Sequence, residues 1–204
     1  MGMTYLHAVA SLDGFIADEH DDVGPLHEWY FAGDHPLAFT DDPDYAEAHG
    51  GAPFRVSAAS ADYVRGLWER QRVLVIGRHQ FDLTDGWSGH PPAGGHVVVV
   101  SHRPRPVGWH PEAPYHFAGS VEAGLARARE LAGDGDIGIG AGDVGGQALE
   151  LGLVDHVAMD VVPVVFGRGK RYFGAFADAT RLLGDPDVVV RGAGVLHLRF
   201  PVRR

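Results

Sequence analysis

Between Asp136 and Phe173 the chain reads DIGIGAGDVGGQALELGLVDHVAMDVVPVVFGRGKRYF, an order of apolar runs and glycine stops that leaves few folds open. Ile137 and Ile139 lie on a short strand that runs into Gly140-Ala141-Gly142-Asp143-Val144-Gly145. Val144 to Leu151 has the length of a short helix, and Gly152 stands where a left-handed residue past a helix end is expected. A long apolar strand, Val157 to Phe166, follows. Strand, glycine turn, helix and return strand call for a parallel sheet covered on both faces. The turn fits G-x-G-x-x-G, whose glycines let backbone amides approach a pyrophosphate at a helix N-terminus. A dinucleotide is the first ligand to consider, although the same six residues also serve as a tight turn with no ligand.

The remaining segments fit the same plan. Tyr5 to Ala10 reads as a first strand, turned by Ser11-Leu12-Asp13-Gly14. Glu19 to Gly51 is rich in Asp, His, Gly and Pro and reads as loop, with one helical turn around Leu26–Phe31; a loop of this length is usually functional or mobile. Ser60 is the expected N-cap of a helix to Gln71, with Val64, Leu67 and Trp68 apolar at i, i+3 and i+4. Val73 to Ile76 is a buried strand ending at Gly77, residues 82–96 read as loop, and Val97 to Val100 is another buried strand, ended by Pro104 and Pro106. Ser120 caps a helix to about Ala132 whose stripe is Val121, Leu125, Ala128 and Ala132. Leu182–Val190 and Val195–Val202 flank Gly192-Ala193-Gly194 as a hairpin. The expected fold is α/β: one domain over residues 1–204, three-layered, with a mostly parallel sheet and a C-terminal antiparallel hairpin at one edge.

Composition removes several functions. The net charge is −10, which opposes a nucleic-acid backbone as the main partner, since phosphate neutralisation needs a basic face. There is no cysteine, so disulfides, thiolate nucleophiles and cysteine zinc sites are excluded. The 13 histidines are scattered without H-x-H or HExxH, and no metal site is expected. No apolar run approaches the length of a membrane span, and the N-terminus has no basic start with an apolar run, so a soluble cytoplasmic protein is expected.

Two folds use such a glycine turn. In a Rossmann domain an acid about 20 residues on binds ribose, and Asp160 has that spacing from Gly140. Against this, the strand continues past Asp160 through Val161-Val162-Pro163-Val164-Val165, and only about 60 residues follow the turn. The second reading joins three segments: Ser11-Leu12-Asp13-Gly14-Phe15-Ile16-Ala17; Val75-Ile76-Gly77-Arg78-His79-Gln80-Phe81; and the opening stretch, where Gly140-Ala141-Gly142, Gly152-Leu153-Val154-Asp155, Pro163-Val164-Val165 and Gly167-Arg168-Gly169-Lys170-Arg171-Tyr172-Phe173 keep one order. In these the chain resembles the dihydrofolate-reductase-like family, most closely the reductase domain of the bifunctional riboflavin-biosynthesis deaminase/reductase.

The resemblance implies a set of cofactor contacts. Gly77, Arg78, His79 and Gln80 would hold cofactor phosphate, with Gln80 standing in for the family's threonine. Ser101, His102 and Arg103 would meet the adenosine 2′-phosphate, favouring NADPH over NADH. Gly140, Ala141 and Gly142 would pass the pyrophosphate, capped by the amides of Asp143, Val144 and Gly145, with the Asp143 side chain turned away and a cis Gly140–Ala141 bond. Val9, Ala10 and Ile16 would face the nicotinamide, although plain core packing would give the same residues. Hydride delivery to C=N or C=O needs a proton, for which Glu28 is the candidate donor, ahead of Asp22. A deaminase half is not expected in these residues, because its P-C-x-x-C needs cysteine. His7 stands where the riboflavin branch has lysine, which counts against its phosphoribosyl-pyrimidine substrate.

The expected function is therefore an NADPH-dependent reductase of a small heterocycle, a pteridine or an aminopyrimidine resembling 5-amino-6-(5-phosphoribosylamino)uracil. The alternatives are an NADP-binding or sensory module without catalysis, and a Rossmann dehydrogenase. The resemblance suggests a homodimer; no membrane or nucleic-acid partner is expected.

Overall fold

A computed structural model describes residues 2–37, 53–176 and 180–203. Its strands are β1 (Thr4–Ser11), β2 (Phe15–Ala17), β3 (His35–Pro36), β4 (Arg55–Val56), β5 (Gln71–Gly77), β6 (His96–Val100), β7 (Tyr115–Ala118), β8 (Asp136–Gly140), β9 (His156–Val162), β10 (Lys170–Arg171), β11 (Val188–Arg191) and β12 (Leu196–Pro201). The α-helices are α1 (Ala58–Arg70), α2 (Arg78–Leu83), α3 (Val121–Ala132) and α4 (Asp143–Glu150), and a 3-10 helix spans Gly24–Phe31. Eight strands form one sheet in the order β11-β12-β9-β1-β8-β5-β6-β7. From β9 to β7 the pairs are parallel; β12 and β11 add the antiparallel edge, as the C-terminal hairpin required.

Strand alternation explains the layers. Leu6 and Ala10 of β1 point to one face, where they meet Leu125 and Ala128 of α3 and Val144 and Ala148 of α4. Val9 points to the other, where it meets Ala61 and Val64 of α1 and Leu26 and Trp29 of the 3-10 helix. Further along that second face, Ile76, Val97 and Val99 pack under Phe81 of α2 and Tyr115. The result is three layers with helices on both sides of the sheet.

Four local expectations are corrected. Helix α1 begins one turn earlier, because Ser57 and not Ser60 is the N-cap, accepting the Ser60 amide at 3.4 Å. Strand β9 stops at Val162 and not Phe166, since Pro163 brings no N–H to the ladder. Residues 82–96 are not all loop: α2 reaches Leu83 and a 3-10 turn occupies Asp85–Gly89. Strand β7 was not expected, because its four residues carry no alternation long enough to read. Of the long loop, 38–52 lie outside the described residues.

The sheet also corrects the Rossmann alternative. The strand before the glycine turn lies between β1 and β5, well inside the chain order, and Asp160 ends no strand. Its carboxylate is 1% exposed and lies between two histidines: Oδ1 is 2.6 Å from His197 Nδ1, and Oδ2 is 3.0 Å from His7 Nε2. His197 Nε2 continues to Ser60 Oγ at 2.9 Å. One side-chain chain thus ties β1, β9, β12 and α1 together.

Burial alone would raise the Asp160 pKa; the charge of His7 and the hydrogen bonds from His197 and His7 more than offset it, leaving it at about 2. A carboxylate lowered in the fold stabilises fully above its ordinary value of 3.8, and that contribution is lost as pH falls toward 2. Asp160→Asn is expected to cost about 3 kcal/mol at pH 7, as breaking a buried charged pair does. Urea unfolding of both proteins checks this, and the gap should shrink in acid between those two values.

Candidate functional site

In open α/β sheets ligands bind outside the carboxyl ends of the strands. Here the ends of β5, β6 and β8 open on one cleft of about 960 Å³. Gly77, Arg78, His79 and Gln80 line it after β5, and Ser101 and His102 after β6. Gly140, Ala141, Gly142, Asp143 and Val144 line it after β8. The facing wall comes from Ile16, Ala17, Asp21, Val23 and His27, and from residues 169–171 and 174–176. The structure therefore brings three sequence-distant turns to one surface.

The glycine turn is shaped by contacts more than by composition. Gly142 has φ 98°, and its amide bonds the Tyr172 carbonyl at 2.8 Å. Helix α4 then starts with no side-chain cap, so its first amides have no acceptor within the helix and are left for water or an anion. The expected cis Gly140–Ala141 bond is corrected: the described chain has no cis peptide, and the positive φ of Gly142 turns the chain instead, avoiding the cost of a cis non-proline bond. Asp143 Oδ1 accepts the Ala175 amide at 3.0 Å, which holds its carboxylate on the 174–176 turn.

Gly145 takes no place in the cleft lining. A Cβ there would sit 2.3 Å from Leu6 Cδ1 and 2.9 Å from the Gly140 carbonyl. It is the glycine that lets α4 lie on β1 and β8, and Gly146 does the same against the Phe173 carbonyl. Val9 and Ala10 are likewise core, at 7% and 0% exposure, and lie outside the lining. Glu28 is exposed on the 3-10 helix and also outside it.

Arg78 lines the cleft with two of its donors committed: Nε to Asp82 at 2.7 Å and Nη1 to the Pro104 carbonyl at 3.0 Å. Arg103 lies beyond the lining and reaches the other Asp82 oxygen at 2.6 Å. Burial would raise the Asp82 pKa; the two guanidinium groups outweigh it and hold the carboxyl below its usual value. Ser101 Oγ donates to the Arg103 carbonyl and accepts the Arg103 amide, which fixes the turn after β6. Gln80 Oε1 lies 2.8 Å from the place a Cβ on Gly140 would take, so its amide rests over that glycine.

The facing wall was the less legible part. Strand β2 pairs antiparallel with β10, and Asp13 accepts the Phe166 and Gly167 amides at 3.2 and 2.7 Å. Asp21 has φ 68°, and its Oδ1 lies 2.9 Å from His79 Nε2 and 3.4 Å from Lys170 Nζ. The His79 hydrogen bond, with Lys170 beside it, lowers the Asp21 pKa. Asp21, His27 and Lys170 were not singled out for the cleft; the only prior signal was Lys170 within the Gly167–Phe173 motif.

Gly145→Ala is expected to cost roughly 1–3 kcal/mol, the range of overpacking a filled core, through contact with Leu6 and not through lost ligand. Chemical unfolding without any ligand measures it.

No sequence-family profile and no curated protein matches the chain. Solved structures do. A protein from a Shewanella species, provisionally assigned to riboflavin biosynthesis, is similar over 100% of both chains, with TM-score 0.66 and 20% identity. The Thermotoga maritima diaminohydroxyphosphoribosylaminopyrimidine deaminase/5-amino-6-(5-phosphoribosylamino)uracil reductase matches 99% of this chain, which spans 57% of that longer protein, with TM-score 0.61 and 13% identity. Enterococcus faecalis dihydrofolate reductase, solved with NADP(H), covers 100% of this chain and 98% of its own, with TM-score 0.52 and 17% identity. The fold is dihydrofolate-reductase-like.

Proposed function

We propose that this chain is an NADPH-dependent reductase that passes hydride to a small heterocycle, a pteridine or an aminopyrimidine. The observation that carries the reading is the single cleft in which the turns after β5, β6 and β8 converge. Its chemistry suits a dinucleotide. The uncapped start of α4 offers amides to a pyrophosphate. Arg78 keeps Nη2 without a partner among the described residues, and a guanidinium matches phosphate oxygens. Ser101 and His102 would meet the 2′-phosphate at the far end, with Arg103 able to turn from Asp82. The bound cofactor would supply hydride; the chain's own contribution is to bind it extended, with its nicotinamide toward Ile16 and Ala17. Structural neighbours that are reductases support the reaction class.

Binding is tested by NADPH fluorescence and thermal shift, and turnover by NADPH oxidation across panels of pterins and aminopyrimidines. Saturable binding with oxidation supports the reading. Tight binding without oxidation on any panel supports a non-catalytic NADP-binding module. No binding at millimolar NADPH overturns both.

Arg78→Ala should weaken NADPH by roughly tenfold or more, as loss of a charge-assisted hydrogen bond does. The double variant Ser101→Ala/His102→Ala should narrow the preference for NADPH over NADH while leaving NADH affinity unchanged. Equilibrium titration with both cofactors checks each.

A further inference from the structure

We propose that Asp21 is an internal counter-anion of the cleft: in the free protein it holds the donors of His79 and Lys170, and it gives them up to the diphosphate of an entering ligand. The proposal rests on the reductase reading for its natural ligand, a dinucleotide, and concerns how that ligand is admitted. Asp21, His79 and Lys170 all line the cleft. They come from three places in the chain. His79 follows β5, beside Arg78. Lys170 opens β10 and pairs with Ala17 of β2, and Asp21 lies in the turn after β2. Asp21 Oδ1 is 2.9 Å from His79 Nε2 and 3.4 Å from Lys170 Nζ. An ionised carboxylate only accepts, so Nε2 carries the hydrogen and donates it. Asp21 thus neutralises Lys170 on its own wall and ties that wall to the turn after β5.

Three observations make the bridge exchangeable. The turn keeps its shape by other means: Asp18 Oδ1 accepts the His20 and Asp22 amides at 2.7 and 2.9 Å, and Asp22 Oδ1 accepts the Gly24 amide at 2.8 Å. The Asp21 carboxylate can therefore leave its partners without undoing these bonds. The donors are also within reach, since the His79 and Lys170 side chains are 66% and 44% exposed. Last, a phosphate oxygen accepts from the same N–H groups as a carboxylate oxygen, and two anions at one pair of donors repel each other. The wall that carries Lys170 also meets the glycine turn: Ile16, next to Ala17 on β2, has its Cδ1 3.7 Å from the place a Cβ on Gly142 would take. Gly142 precedes the uncapped start of α4, whose amides suit the same diphosphate.

Inorganic pyrophosphate is the probe, titrated by calorimetry at low salt, where exposed charges are least screened. Asp21→Asn removes the charge and keeps a residue type that tolerates the φ of 68° found here. It should bind pyrophosphate about three- to tenfold more tightly than wild type, the range that releasing two exposed ion pairs allows. Glu122→Gln removes another carboxylate of the cleft lining, controls for net charge, and should gain less. In a His79→Gln/Lys170→Gln background the gain from Asp21→Asn should disappear, because the donors it frees are gone. Unchanged or weaker binding in Asp21→Asn, an equal gain in Glu122→Gln, or a gain that persists without His79 and Lys170 overturns the proposal. So does the absence of pyrophosphate binding in both wild type and Asp21→Asn. A second measurement uses Lys170 as the one lysine of the chain. Its acetylation by acetic anhydride, mapped by mass spectrometry, should slow under saturating pyrophosphate; a rate that pyrophosphate leaves unchanged overturns the proposal. NADPH is titrated against the same proteins. If pyrophosphate behaves as expected and NADPH does not bind, the reductase reading falls and the counter-anion stands.

Discussion

A carboxylate removed from water organises this molecule. Asp160 sits inside the sheet with both oxygens taken by imidazoles, from β1 on one side and β12 on the other. Desolvating an ion costs several kcal/mol, so the site persists only because its partners are placed with it. That requirement couples parts of the fold that apolar packing alone would leave free to slide. The parallel core contributes His7, the antiparallel annex His197, and the first helix Ser60. A hydrophobic β12 could shift by two residues and keep its buried face; one carrying His197 cannot, because Asp160 would lose its partner.

The second constraint is how close backbone can come to backbone. Gly145, Gly146 and Gly169 each occupy places where a Cβ would lie under 3 Å from neighbouring atoms. These contacts draw α4 onto β1 and β8, and the Gly167–Phe173 motif onto the strand that closes the cleft. Tyr172 then bonds the Leu6 and Ala158 carbonyls with its hydroxyl, while its own carbonyl accepts Gly142. The glycine turn that faces the cleft is therefore held from behind by a buried tyrosine. A G-x-G-x-x-G pattern divides its labour here: Gly142 makes the turn, and Gly145 makes the packing.

The sheet was legible in the sequence where a physical signal was strong. Apolar runs such as Val97–Val100 have one satisfactory environment, and Ser120 ahead of an apolar stripe can only cap a helix; both stand as expected. Short elements failed for want of pattern: β7 is four residues, and β9 ended at a proline whose missing N–H outweighed five apolar neighbours. The turns that line the cleft were readable because backbone turns write themselves as glycines. Those that depend on side-chain convergence were not. Asp160 drew notice for its spacing from a turn, whereas its actual partners are 153 and 37 residues away. No local pattern encodes a contact of that separation.

That difference shapes what the cleft can specify. The turns after β5, β6 and β8 bring main-chain amides and turn residues to it, which recognise charge and shape and tolerate change in side chains. Its inner end meets the centre of the sheet, where Gly140 pairs with His7 of β1 and has the Gln80 amide over it. The Asp160–His7 hydrogen bond holds β1 to β9 at the level where β1 pairs with Gly140, so a change that loosened it would also disturb the strand beside the glycine turn.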